Sequence, residues 1–201
     1  MTKAGEPDAV RRRAHVRGLV QGVGFRPFVW REATTRGVGG WVGNDAQGVV
    51  LEVEGSPEAV AAVLDSLHRP PPLARVEEVR IEELAPEGVA GFEVRGSDTA
   101  GTKTALVSPD TAVCEDCVRE LRDPGDRRYR YPFINCTNCG PRYTIVESVP
   151  YDRSRTTMAD FPMCAACRRE YDDPADRRFH AEPVCCPACG PVLRLLSLIH
   201  I

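Results

Sequence analysis

The stretch CEDCVRELRDPGDRRYR, residues 114–130, returns fifty residues later as CAACRREYDDPADRRFH, residues 164–180. CTNCGP (136–141) likewise returns as CPACGP (186–191). A fixed-period duplication of this kind marks two copies of one structural unit. Each copy holds two C-x2-C pairs, Cys114/Cys117 with Cys136/Cys139 and Cys164/Cys167 with Cys186/Cys189. Two thiolates separated by two residues grip one Zn2+ from a single tight turn, at about 2.3 Å per Zn–S bond. A second such turn roughly 15–20 residues on completes a tetrahedron. The pairs are 18 residues apart in both copies and the copies 24 apart, so the spacing pairs ligands within each copy. Interleaved ligands, Cys114 and Cys117 with Cys186 and Cys189, are the alternative. Gly140 and Gly190, directly after the second turns, suit a left-handed backbone.

Four thiolates close the coordination shell and leave no position for water, so both metal sites are expected to be structural. The segments DPGDRRYR and DPADRRFH are charged and turn-rich, and metal must supply much of the folding free energy of such modules. Cys185 falls off the lattice, since its repeat partner is Asn135, and reads as a bystander thiol. His180 aligns with Arg130, which argues against a ligand role.

The rest of the chain sets the context. A formal net charge of −3 gives no support to nucleic-acid binding. Residues 1–13 carry no apolar run and do not read as a signal peptide. No stretch approaches the ~20 apolar residues of a membrane span. The expected compartment is the cytoplasm, where cysteines stay reduced and available to metal, and this disfavours a disulfide framework.

Residues 10–97 read as a separate α/β domain. Strand patterns cover Ala14–Val20, Val38–Gly43, Val49–Glu54, Val79–Glu82 and Phe92–Val94. A helix opens at Arg26-Pro27 with Phe25, Phe28, Val29 and Ala33 on one face, and Gly37 ends it. Ser56 caps a second helix whose stripe is Val60, Val63, Leu64 and Leu67. The order is β-α-β-β-α-β followed by the short last strand Phe92–Val94, an α+β ferredoxin-like sandwich with two helices on one face of an antiparallel sheet. Residues 98–113 read as a polar linker, 114–142 and 164–192 as the four-cysteine modules, 143–163 as the segment between them, and 193–201 as a tail.

Within the first domain the loop Gln21-Gly22-Val23-Gly24-Phe25-Arg26 runs from a strand into a helix N-terminus. Free backbone N–H groups and the helix dipole favour an anion there. Arg26 adds a planar fork matched to phosphate oxygens. On physics alone, a phosphate loop and a glycine-rich turn with a surface arginine are about equally good readings.

Val16-x-Gly18-x-Val20-Gln21-Gly22-Val23-x-Phe25-Arg26 resembles the signature loop of the acylphosphatase family, and Gly40-x-Val42-x-Asn44, four residues before Gly48, resembles its second motif. Gln47 stands where that family often has aspartate. The resemblance implies an acyl phosphate hydrolase needing no metal for catalysis. In it, Gln21–Arg26 hold the phosphoryl group, with Arg26 as the charged ligand, and Asn44 orients the attacking water.

Joined to two four-cysteine modules, this domain resembles the N-terminal part of the HypF family of hydrogenase maturation carbamoyltransferases. VQGVGFRPFVW, SPDTAVCEDC, YPFINCTNCGPRYTI, PYDR and RRFHAEPV carry that likeness. It implies hydrolysis of carbamoyl phosphate, two structural Zn2+ ions and no cofactor for the hydrolytic step. The implied partner is a maturation protein that accepts a carbamoyl group on its C-terminal cysteine. That family continues into nucleotide-binding and transferase domains, whereas here LLSLIHI follows CGPVLR, as expected of a truncated reading frame with a foreign tail. A free-standing acylphosphatase whose zinc modules bind partners is the second reading, and a zinc-ribbon nucleic-acid binder the third. With the first domain read as separate, metal removal is expected to unfold the modules and leave hydrolysis largely intact.

Overall fold

The computed structural model describes residues 9–96 and 106–197. Strands β1 (Val10–Leu19), β2 (Gly39–Asn44), β3 (Val49–Gly55), β4 (Arg75–Leu84) and β5 (Phe92–Val94) form one sheet in the order β4-β1-β3-β2-β5. β1 runs antiparallel to both neighbours, with Ala14 opposite Leu51 on β3 and Ile81 on β4. β5 joins β2 in parallel, so the sheet is mixed rather than wholly antiparallel. β4 is longer than its sequence pattern because it pairs along nearly all of β1. It lies at the sheet's edge, and its many glutamates blur the alternation that marks a half-buried strand.

Helices α1 (Phe25–Thr35) and α2 (Pro57–Ser66) close the core over one face. The Ser56 hydroxyl accepts from the Ala59 N–H at 3.2 Å and caps α2 as expected. Val29 and Ala33 of α1 and Val63 of α2 are buried with Val16, Leu51 and Val53 of the sheet. The β2–β3 turn is held by Asp45, whose Oδ1 accepts from the N–H groups of Gln47 (2.8 Å) and Gly48 (2.7 Å).

The second half contains two short helices, α3 (Glu115–Arg122) and α4 (Ala165–Asp172). Each starts one residue after the first cysteine of its module. The repeats follow one backbone path: Arg130 and His180 both turn left-handed, at φ 56° and 51°. Gly140 is left-handed at φ 72° as expected. Gly190 is not, and is needed for space instead, because a Cβ there would lie 2.2 Å from the Tyr131 hydroxyl.

Residues 98–105 of the linker lie outside the described residues. Its remainder is tied down on both sides, Val107 bridging to Gln21 and the Thr111 hydroxyl donating to the Cys139 carbonyl at 2.6 Å. Between the modules, Tyr151 is buried and its N–H donates to the Gln21 side-chain oxygen at 2.8 Å. In the tail, Leu193, Leu195 and Leu196 are exposed, and residues 198–201 lie outside the described residues. No helix among the described residues is long and apolar enough to cross a membrane.

Candidate functional site

The loop between β1 and α1 curls through two left-handed glycines, Gly22 at φ 71° and Gly24 at φ 77°. Alternating left-handed turns aim successive N–H groups into one concavity, and the first turn of α1 adds donors that have no intrahelical acceptor. A side chain at Gly22 would also strike the Tyr151 ring, 2.8 Å from its Cβ position, so the loop is shaped from both sides. Gln21 belongs to the loop by its backbone. Its side chain serves the fold, donating to the carbonyls of Asp45 (2.8 Å) and Gly48 (2.7 Å).

Arg26 is not the surface arginine that the sequence leaves open. It is 5% exposed, and its Nη2 donates to Oε1 of Glu182, in the second module, at 2.9 Å. Its Nη1 lies 3.6 Å from the Asp152 carboxylate. Glu182 is buried in turn, its Oε2 accepting from the Tyr171 hydroxyl and the Arg153 N–H, both at 2.9 Å. Burial pushes the Glu182 carboxyl up from its ordinary range, while the Arg26 guanidinium pulls it down. Behind it, the Arg153 guanidinium donates to the carbonyls of Glu182, Val184 and Phe161. A cleft of about 610 Å³ opens onto this network, lined by Arg26, Gly96, Asp152, Arg155, Arg168 and His180 among others.

Asn44 ends β2 and is 2% exposed, and neither side-chain polar atom has a hydrogen-bond partner among the described residues. Buried amides are nearly always bonded, so such a pair of orphaned atoms marks a place where a small polar ligand belongs. Asn44 faces a second cleft of about 340 Å³, and Gly96 borders both clefts. The two halves of the expected site therefore share an edge.

The cysteines gather as the spacing within each copy predicts. The ligand atoms of Cys114, Cys117, Cys136 and Cys139 lie within 4.8 Å of one another, and so do those of Cys164, Cys167, Cys186 and Cys189. The interleaved alternative is excluded by this grouping. Sγ–Sγ distances such as Cys114–Cys136 (3.6 Å), Cys136–Cys139 (3.9 Å) and Cys164–Cys186 (3.8 Å) are far beyond a disulfide. They match the ~3.8 Å edge of a tetrahedron built on Zn–S bonds of about 2.3 Å. Burial pushes the Cys167 thiol up to about 12, and Arg127 opposes that. A central cation is what would hold such crowded sulfurs as thiolates. Cys185 stays off both clusters, near the Tyr131 hydroxyl at 3.3 Å.

The modules also lock onto each other reciprocally. Arg127 of the first donates to Cys167 Sγ of the second at 3.3 Å, and Arg177 of the second donates to Cys117 Sγ of the first at 3.2 Å. Arg128 pairs with Glu170 and donates to the Cys185 carbonyl; Arg178 pairs with Glu120 and donates to the Asn135 carbonyl. Every one of these residues maps onto its counterpart by the fifty-residue shift.

Sequence reasoning missed Glu182, Asp152 and Tyr171, and with them the dependence of the first domain on the rest. One signal was present: Glu182 stands where the repeat has Pro132. The expected independence of the two halves does not hold at Arg26.

A loop of this shape on a sandwich of this order defines an acylphosphatase-type domain, and two four-cysteine modules are fixed against it. Residues 12–94 match the acylphosphatase family model, and residues 113–146 and 163–196 match the HypF finger. The acylphosphatase of Thermococcus kodakarensis is 53% identical over 72 residues, which cover 79% of it and 34% of this chain. The chain belongs to the acylphosphatase family through this domain, and over most of its length it corresponds to the N-terminal region of HypF carbamoyltransferases. Carbamoyltransferase HypF2 of Cupriavidus necator is 54% identical over 160 residues, 78% of this chain and 20% of that protein. Full-length HypF crystallised in its phosphate- and nucleotide-bound form superposes with a TM-score of 0.89 at 49% identity, over 94% of this chain and 25% of that one. The chain thus spans about a fifth of the length of the HypF2 protein it matches.

Proposed function

We propose that this chain hydrolyses acyl phosphates, carbamoyl phosphate in particular, as the hydrolytic part of a HypF-type carbamoyltransferase serving [NiFe]-hydrogenase maturation. In that setting the carbamoyl group is destined for the C-terminal cysteine of a partner maturation protein, and the compartment is the cytoplasm. The observation that carries the reading is the left-handed glycine loop that ends in Arg26, with the orphaned buried amide of Asn44 in a cleft that shares Gly96 with the one Arg26 lines.

The loop N–H groups from Gly22 to Arg26 and the Arg26 guanidinium take the phosphoryl oxygens, and Asn44 orients a water in line with the bond to be broken. The water oxygen bonds to phosphorus as the phosphorus–acyl oxygen bond breaks and the carboxylate, carbamate for carbamoyl phosphate, departs with the electron pair. Both water hydrogens end on the phosphate, released as dihydrogen phosphate. Positioning and fixed charge are what phosphoryl transfer asks of a protein. The two cysteine clusters take one Zn2+ each. That metal supplies cross-links for the fold and no step of the reaction.

Phosphate release from carbamoyl phosphate tests the reading. Arg26→Ala is expected to fall to background, and Asn44→Ala to turn over roughly 10²–10³-fold more slowly while still binding phosphate. Near-normal kinetics in Arg26→Ala, or no turnover by the unaltered chain, would overturn it.

A further inference from the structure

We propose that the acyl phosphate site is a composite one, in which the second four-cysteine module supplies Glu182 as the positioning residue for Arg26. Hydrolysis is thereby made conditional on that module being folded around its metal. The inference rests on reading Gln21–Arg26 as the phosphate loop, and concerns what holds its one arginine in place.

An arginine on the first turn of a helix has a long flexible stem and much rotamer freedom to lose. Here it is almost fully buried and reaches Glu182 at 2.9 Å, across 156 residues of chain. Two further donors fix the carboxylate, the Tyr171 hydroxyl and the Arg153 N–H, and Arg153 is pinned by three carbonyls. A carboxylate held this way is not a plug that swings aside for substrate, since freeing it would break several buried bonds at once. Glu182 hydrogen-bonds one of the five guanidinium N–H groups and Asp152 lies 3.6 Å from Nη1, and the N–H groups that neither carboxylate takes are those for phosphoryl oxygens. The cleft that Arg26 borders carries Arg155 and Arg168 as well, which suits an anionic substrate despite the carboxylates of Glu182 and Asp152.

The link to the metal is short. Glu182 lies four residues before Cys186, and Ala181, Val184 and Cys185 between and beside them are buried. The course of residues 181–186 is therefore set by where Cys186 is held. The same module touches α1 a second time, where the Phe179 ring meets the edge of Trp30 at 6.4 Å. Trp30 emission, read as the difference from a Trp30→Phe variant because Trp41 also emits, thus reports whether module and domain are in contact.

The test uses the metal-loaded 201-residue chain, with carbamoyl phosphate as substrate and inorganic phosphate as a calorimetric probe. Glu182→Gln and Glu182→Ala should weaken phosphate binding and lower kcat/KM together, by about 10²-fold for the alanine variant and less for the isosteric glutamine. Metal content of Glu182→Gln should stay near that of the unaltered chain, while its unfolding midpoint falls because the buried Arg26 loses its charged partner. Chelation should shift Trp30 emission and abolish phosphate binding in step. Unchanged phosphate affinity and turnover in Glu182→Gln, with Arg26→Ala inactive, would sink the positioning role and leave the loop assignment standing. Tighter phosphate binding in Glu182→Gln would make the carboxylate a competitor and overturn the proposal from the other side. If Arg26→Ala binds phosphate and turns over normally, it is the loop assignment that fails.

Discussion

Glu182 stands where the first module has Pro132, Phe179 where it has Tyr129, and Tyr171 where it has Leu121. Phe179 is buried against the N-terminal domain, whereas Tyr129 is 42% exposed. The residues that match across the repeat do the opposite work: Arg127/Arg177, Arg128/Arg178 and Glu120/Glu170 join module to module, and Cys117 and Cys167 each accept from the other module's arginine. Duplication thus kept what two copies need in order to hold each other. Divergence in the second copy changed what faces the third party, the acylphosphatase domain. A tetrathiolate site carries net negative charge when it holds a divalent metal, so an arginine lent by the other copy lowers the cost of placing two such sites side by side.

The largest effect expected from this comparison is that of metal removal. Structural zinc contributes apparent binding energies of about 10–16 kcal/mol in small modules, and the apolar clusters here are small and built in good part from the cysteines themselves. Chelation should release two metal ions per chain and expose residues 114–191 to amide hydrogen exchange. β1, β3 and α1, which have their own core, should stay protected. One ion per chain, or exchange confined to one module, would break the picture of two equal and mutually locked copies.

Next in size are the buried arginines of the lock. Arg128 is 1% exposed and Arg178 is 4% exposed, and each has a carboxylate and a carbonyl partner in the other module. Removing one partner of such a pair costs about 3–5 kcal/mol. Arg128→Ala and Arg178→Ala should therefore destabilise urea unfolding by similar amounts. A large difference between them would show that the lock is not symmetric.

The smallest effect sharpens the diverged half. Burial, with the Arg26 charge adding to it, pushes His180 down to about 3 from an ordinary 6.5. The unfolded chain therefore binds the extra proton first. His180 contributes stability in full above pH ~6.5 and loses it as pH falls toward ~3, at no more than about 1.4 kcal/mol per pH unit. His180→Leu should flatten that acid limb in a thermal-melt series, and Arg130→Leu, at the matching exposed position, should not. Equal pH profiles for the two variants would remove His180 from the docking surface.

Much of this was legible in the chain itself. Ligand sets follow from C-x2-C spacing because a metal turn is local, and the repeat doubled the signal. The glycine loop, the Ser56 cap and the helix stripes are likewise decided within a few residues. The extent of β4 and the parallel placement of β5 were not. An edge strand need not alternate, and pairing direction is set by where the chain returns.

The sequence by itself determined two four-cysteine sites and an acylphosphatase-type domain, and singled out Arg26 and Asn44 as the site residues to expect within it. Only the tertiary structure decided that Arg26 is buried against Glu182, that Tyr151 covers Gly22, and that each module's arginines serve the other's thiolates. The reason is physical. Spacing and turn chemistry act along a few bonds, whereas which carboxylate meets a guanidinium 156 residues away depends on how separately folded units pack. No periodicity in a charged, turn-rich segment records that choice.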